Sequence, residues 1–179
     1  MTKIDVGLKK IKTIFHISDV HIRTIKRHKE YREVFSKVYK EIEKRKDDSL
    51  IYLGGDLVHA KLEMSPELIQ MTSDFFRSLA DLAPTIIITG NHDCNLNNRH
   101  RLDALSPIID NLNHPNLHYL MDSGVYEIGD CQFVVMSIFE GPKDYIKSKD
   151  VKGNNKIALF HGTIDNATTD FGYHLKDPK

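Results

Sequence analysis

The feature that most constrains this chain is a polar motif closing each of four short apolar runs. Asp19-Val20-His21 follows Ile14-Phe15-His16-Ile17-Ser18, and Gly54-Gly55-Asp56 follows Ser49-Leu50-Ile51-Tyr52-Leu53. Gly90-Asn91-His92-Asp93 follows Thr85-Ile86-Ile87-Ile88-Thr89, and His161 follows Lys156-Ile157-Ala158-Leu159-Phe160. Runs this short, rich in β-branched residues and bounded by glycine and polar groups, read as buried strands. Polar side chains gathered at the carboxyl ends of such strands occupy the place where open α/β sheets bind ligands.

The intervening segments have helical period. Between residues 28 and 45, Tyr31, Val34, Phe35, Val38 and Ile42 recur at three- and four-residue steps and predict the buried face of a first helix. Ser65 and Pro66 supply an N-cap and a first-turn proline for a second helix. Its inner stripe would be Leu68, Met71, Phe75, Phe76, Leu79 and Leu82. Residues 102–112 predict a short helix interrupted or started by Pro107, and 117–120 a weak strand. Residues 125–128 and 132–137 flank Gly129-Asp130 as a hairpin. Strands alternating with helices, then a hairpin, predict a layered α/β fold. With 179 residues and no repeat, low-complexity tract or internal boundary, residues 1–179 read as one domain.

The motifs supply the donor types of a two-metal phosphoester-cleaving centre. Such chemistry needs a water made nucleophilic near neutral pH and a way to hold charge on phosphoryl oxygens, and two ions roughly 3.5–4 Å apart provide both. If 19–21 is extended, Asp19 and His21 point the same way and converge on one ion. Gly54 and Gly55 let the chain turn beneath the site, and Asp56 stands where a bridging carboxylate belongs. Asn91 offers an amide oxygen and His161 a ring nitrogen to a second ion, while His92 can serve as proton donor to the leaving oxygen. Asp93 is read as orienting His92 or tying down its turn. Taken singly, Asp-x-His is common and Gly-Gly-Asp is often only a turn. The ordered conjunction carries the reading. His16 reads as a packed strand histidine, and His28, His100, His114 and His118 as surface residues.

The pattern resembles the calcineurin-like metallophosphoesterase superfamily, and more narrowly its SbcD-type DNA-repair nuclease branch with phage and large-virus relatives. The narrower likeness rests on Ile17-Ser18-Asp19-Val20-His21, on Gly54-Gly55-Asp56-Leu57-Val58-His59, and on the stretch from Gly90 to Asn98. The resemblance implies a two-sheet sandwich flanked by helices and two divalent ions, manganese by expectation, with iron or zinc also suited. Asp19 and His21 would hold the first ion, Asn91 and His161 the second, and Asp56 would bridge. His92 would be the catalytic acid and His59 would assist at the phosphate. It also implies DNA as substrate and a long coiled-coil, SMC-like ATPase as partner. No segment after His161 matches the Gly-(His or Asp)-x-His motif that completes such sites, and His174 stands in a different context. The reading therefore expects a catalytic domain truncated at its C-terminus, without a capping domain. Its sheet edges would be exposed and open to self-pairing as a homodimer, and its activity weak.

Composition sets the remaining bounds. Formal net charge is zero, so no global field draws the chain to nucleic acid. Local clusters could: Arg23, Lys26, Arg27, Lys29 and Arg32 follow the first motif, and Arg99 and Arg101 follow the third. Phosphate-backbone contact and an ordinary solvated helix face weigh about evenly for them. Cys94 and Cys131 give no disulfide framework, and no secretory or membrane-spanning segment is read, so the expected setting is intracellular. Alternatives to DNA cleavage are a phosphatase or phosphodiesterase acting on proteins or nucleotides, and a degenerate module that binds DNA or a partner without catalysis.

Overall fold

The computed structural model describes residues 1–163 and 167–174. Its strands are β1 (Thr2–Lys3), β2 (Thr13–Ile17), β3 (Ser49–Leu53), β4 (Thr85–Ile87), β5 (Leu117–Tyr119), β6 (Gly124–Ile128), β7 (Cys131–Met136) and β8 (Lys156–Phe160). Three α-helices intervene: α1 (His28–Glu43), α2 (Pro66–Leu82) and α3 (Ser106–Leu112). One sheet has the order β2-β3-β4-β5 and is parallel throughout. The other has the order β1-β6-β7-β8, with only the β6–β7 hairpin antiparallel.

The period-two alternation of β3 and β4 builds two cores at once. Leu50, Tyr52, Ile86 and Ile88 face the second sheet, packing with Ile128, Phe133, Val135 and Leu159. Ile51, Leu53 and Ile87 face the helices, packing with Phe75, Phe76, Leu79 and Ile108. The central strands are buried on both sides, which is why their sequences are continuously apolar rather than alternating. Each fully buried Leu, Ile or Phe contributes about 1.5–3 kcal/mol of transfer free energy. The result is the expected α/β architecture: a two-sheet sandwich with α1, α2 and α3 against the outer face of the parallel sheet.

Several local expectations are met. The Ser65 hydroxyl accepts from the Leu68 N–H at 3.2 Å, capping α2, and Pro66 opens it. Gly129, at φ 59°, turns the hairpin, and Ile128 pairs with Cys131. Others are corrected. The two-residue β1 is too short to show a period in the sequence. Helix α1 ends at Glu43, and Val34 on its expected inner face is 52% exposed. Pro107 lies in the first turn of α3 and starts it. The residues before it are held in a turn by Asp103, whose Oδ1 accepts from the Leu105 and Ser106 N–H groups at 2.7 and 2.8 Å. His16 is exposed rather than packed inside, because β2 is an edge strand; its ring stacks on Tyr52 with centroids 4.6 Å apart. His28, His114 and His118 are part-buried, with His28 Nε2 on the Arg23 carbonyl at 2.6 Å and His114 Nε2 on Asp81 at 3.2 Å. Among the described residues, no helix is long and apolar enough to cross a membrane.

Candidate metal centre

The loops leaving β2, β3, β4 and β8 meet at one end of the sandwich. The first two are zipped together by backbone bonds that continue the parallel pairing: Asp19 N–H to Gly55 O at 3.1 Å, His21 N–H to Asp56 O at 3.0 Å and Ile22 N–H to Leu57 O at 2.9 Å. This fixes Asp19 and His21 beside Asp56. The extended geometry expected for 19–21 is absent. Asp19, His21 and Asp56 lie in the left-handed region, at φ 55°, 49° and 53°. Non-glycine residues held there cost of order 1–3 kcal/mol each, and such strain concentrates at functional sites. The two side chains still converge, through a turn rather than a strand.

The convergence is close. His21 Nε2 lies 3.6 Å from Asp56 Oδ2 and 3.9 Å from Asp19 Oδ1. His161 Nε2 lies 3.4 Å from Asp56 Oδ1 and 3.3 Å from Asn91 Oδ1. Asp56 is thus central, buried, and flanked by one imidazole on each oxygen. Two glycines permit this approach. Gly55 has φ 92°, and a Cβ there would meet Gly90 N and His161 Nδ1 at 2.8 Å. A Cβ on Gly90 would collide with the backbone nitrogen and Oδ1 of Asp56. Only Gly55 is needed for its conformation; Gly90 is needed because the third motif packs directly on the second.

The donor set fits divalent ions. His161 Nδ1 faces the Gly54 carbonyl at 2.7 Å, so it carries the ring proton and leaves Nε2 as a lone pair aimed at two acceptor oxygens. A lone pair facing oxygen at that range requires a cation or a proton between them. Without a metal the proton serves: Asp56 draws the His161 imidazole up to about 9. Burial works against charge on Asp56, but His161 and the His92 N–H outweigh it and hold its carboxyl below the ordinary range. Asp19, Asp56 and His161 present ligand atoms within 4.8 Å of one another, and His21, His59 and His92 form a second such group.

Further side chains brace the centre. His92 Nδ1 lies 2.7 Å from the His59 carbonyl, and the His92 N–H donates to Asp56 Oδ1 at 2.8 Å, leaving Nε2 free. Asp93 is fully buried and accepts from the Leu57 and Val58 N–H groups at 2.9 and 3.1 Å and from the Gly90 N–H at 2.9 Å. It ties the loop after β3 to the loop after β4. Burial pushes its carboxyl up to about 6 despite those bonds. His59 Nε2 lies 3.4 Å from Arg23 Nη1. Burial first, then the Arg23 charge, holds the His59 imidazole below its ordinary value. The sequence reading missed the Tyr31 hydroxyl, which donates to the His21 carbonyl at 2.6 Å, and Lys61, whose ammonium reaches the Asn91 carbonyl at 3.0 Å. Both act on backbone carbonyls, which leave no mark in a motif.

The basic clusters divide. Arg27 is paired with Glu30, and Arg99 with Asp122 at 2.6 Å and Glu140 at 3.8 Å, so their charges are largely taken. Lys26 and Arg101 are exposed, and Arg23 alone among the basic residues of these clusters contacts a centre residue. Beside Asn91 and His161 runs a groove of about 930 Å³ lined in part by Met136, Glu140 and Phe160. His174 lies opposite Thr168, at 3.4 Å from its hydroxyl, and belongs to neither ligand group. The segments 164–166 and 175–179 lie outside the described residues.

The chain is 47% identical over 184 aligned positions to an uncharacterized protein of Acanthamoeba polyphaga mimivirus, an alignment covering 97% of this chain and 14% of that one. Residues 12–178, which include every donor side chain described above, match the sequence profile of calcineurin-like phosphoesterases. The chain belongs to the calcineurin-like phosphoesterase family.

Proposed function

We propose that this chain is the catalytic domain of a two-metal phosphodiesterase acting on DNA, of the SbcD nuclease type. The observation that carries the proposal is the pairing of the ligand cluster around Asp56 with His92, whose Nδ1 is fixed by the His59 carbonyl and whose Nε2 is free. Asp19 and His21 would hold one ion, Asn91 and His161 the other, with Asp56 shared. When bound, the ions supply a nucleophilic water and charge stabilisation on the phosphoryl oxygens. The chain's own residues do the rest. His92 holds a proton at Nε2 and delivers it to the leaving sugar oxygen. Asp93 keeps the His92 loop against the Asp56 loop. Arg23, standing at His59, faces the phosphate beside the centre. Mixed carboxylate, amide and imidazole donors suit manganese, with iron and zinc also accommodated. The same reading assigns the protein a coiled-coil SMC-like ATPase as partner.

A second reading, phosphoester hydrolysis on nucleotides or phosphoproteins, is favoured by the pairing of Arg27 with Glu30 and of Arg99 with Asp122, which reduces the positive charge beside the site. The two are separated by assaying one preparation with manganese on a DNA duplex end, a nucleotide ester and a phosphopeptide. DNA cleavage that Arg23→Ala weakens chiefly through KM supports the nuclease reading. Turnover confined to the small ester or the peptide refutes it.

A further inference from the structure

The second ligand group, His21, His59 and His92, contains no carboxylate. Its ring centroids are 4.7 Å (His21–His92), 5.7 Å (His21–His59) and 5.8 Å (His59–His92) apart. With zinc–nitrogen bonds of about 2.0–2.1 Å, three imidazoles in a tetrahedral set would have nitrogens roughly 3.3 Å and centroids roughly 5.2 Å apart. The observed centroid triangle is close to that, and the ligand atoms, within 4.8 Å of one another, would have to draw together to close on an ion.

The surroundings of two rings suit such an ion, His92 by a hydrogen bond and His21 by carboxylates near one nitrogen and an unpartnered other nitrogen. A metal-binding imidazole donates its other N–H to a carboxylate or a backbone carbonyl. His92 does so from Nδ1 to the His59 carbonyl at 2.7 Å. His21 has Nε2 facing Asp56 and Asp19 at 3.6 and 3.9 Å, while its Nδ1 is buried without a hydrogen-bond partner. The third ring, His59, also has a buried, unpartnered Nδ1. Its Nε2 accepts from Arg23 at 3.4 Å, which holds the ring proton on Nδ1.

We propose that His21, His59 and His92 form an alternative, inhibitory site for a zinc-like cation, one that shares His21 with the proposed catalytic pair. Three neutral imidazoles favour zinc, copper or nickel over the harder magnesium and manganese that carboxylates accept. The proton balance is closed: the ion takes Nδ1 of His59, the displaced ring proton moves to Nε2, and the exposed Arg23 side chain gives up its contact and turns to solvent. His21 binds through Nδ1 with its proton on Nε2 toward Asp56 and Asp19, so it no longer offers Nε2 to the metal pair. His92 binds through Nε2 and no longer holds a proton for the leaving group. Occupation of the imidazole site and of the catalytic pair are therefore mutually exclusive. The inhibitory consequence rests on the proposed function, whereas the site itself does not.

The test is binding to the metal-free 179-residue chain, read by cobalt(II) visible absorption and zinc calorimetry. Wild-type chain should give the intense bands of four-coordinate, nitrogen-rich cobalt, and added manganese should raise the apparent zinc Kd. His59→Ala and His59→Gln, checked for folding by circular dichroism, should lose the bands and weaken zinc at least roughly tenfold, as expected when a ligand is removed. Arg23→Ala keeps all three imidazoles and should bind zinc more tightly. Wild-type cobalt spectrum and zinc affinity in both His59 variants would overturn the proposal, as would unchanged or weaker zinc binding by Arg23→Ala. None of these readouts requires turnover, so a chain that binds zinc through His59 yet, freed of zinc and supplied with manganese, cleaves no DNA would refute only the nuclease reading.

Discussion

Replacing Asp93 tests how the centre is held together. Its carboxylate is fully buried and satisfies the N–H groups of Leu57, Val58 and Gly90. Asp93→Ala removes both acceptor oxygens and strands those donors. A buried donor left unpaired costs about 1–3 kcal/mol, so the sum is roughly 3–9 kcal/mol. Water entering the vacated space satisfies part of this and brings the expected loss to about 3–5 kcal/mol. Against a typical domain stability of about 5–15 kcal/mol, that is a large fraction. Asp93→Asn is milder. Its carbonyl oxygen can serve Leu57 and Val58, but its amide then faces the Gly90 N–H, donor against donor, for about 1–3 kcal/mol. The assay is urea unfolding by circular dichroism, with the midpoint falling in the order wild type, Asn, Ala at constant m-value. Calorimetry should show metal affinity falling in the same order, since Leu57 and Gly90 adjoin Asp56 and Asn91. A midpoint shift for Asp93→Ala equivalent to under about 1 kcal/mol would refute the reasoning, because the stranded donors would then have found other partners.

His92→Ala should lower turnover while elemental analysis finds metal content nearly intact, whereas Asp56→Ala should lose both; equal metal loss in the two would make His92 a ligand of the catalytic pair. Phe75, 1% exposed and stacked on Phe35 at 4.1 Å, should cost about 3–5 kcal/mol on truncation to alanine, read by the same urea assay. His161 gives a pH prediction for the metal-free chain. Its folded value is raised from 6.5 to about 9 by Asp56, so its stabilising contribution is complete below 6.5 and lost as pH rises through about 9. Urea midpoints measured across that range should fall toward alkaline pH, and the fall should vanish in His161→Gln.

Much of this protein was legible in the sequence because its signals are local. Five-residue apolar runs specify strands wherever they lie, Ser65-Pro66 specifies a helix start, and a polar motif after a strand specifies a sheet end. The residues Asp19, His21, Asp56, Asn91 and His161 were nameable because donor chemistry is written in side-chain identity. What failed also failed locally. Val34 fits the helical period of α1 yet is exposed, since the period cannot say how wide a face the sheet covers. His16 sits in an apolar run yet is exposed, since being an edge strand is a property of the sheet order.

The tertiary structure alone decided how the donors meet. Asp19 and His21 converge through left-handed backbone that no spacing rule anticipates, held by bonds to Gly55 and Asp56 across a strand pair. The burial of Asp93, the Arg23–His59 contact and the imidazole triangle join residues tens of positions apart. Sequence carries the identity of a side chain and the period of its neighbours. Distance between chain-remote atoms arises only when the sheets pack, so the donor side chains are written in the chain and their geometry is not.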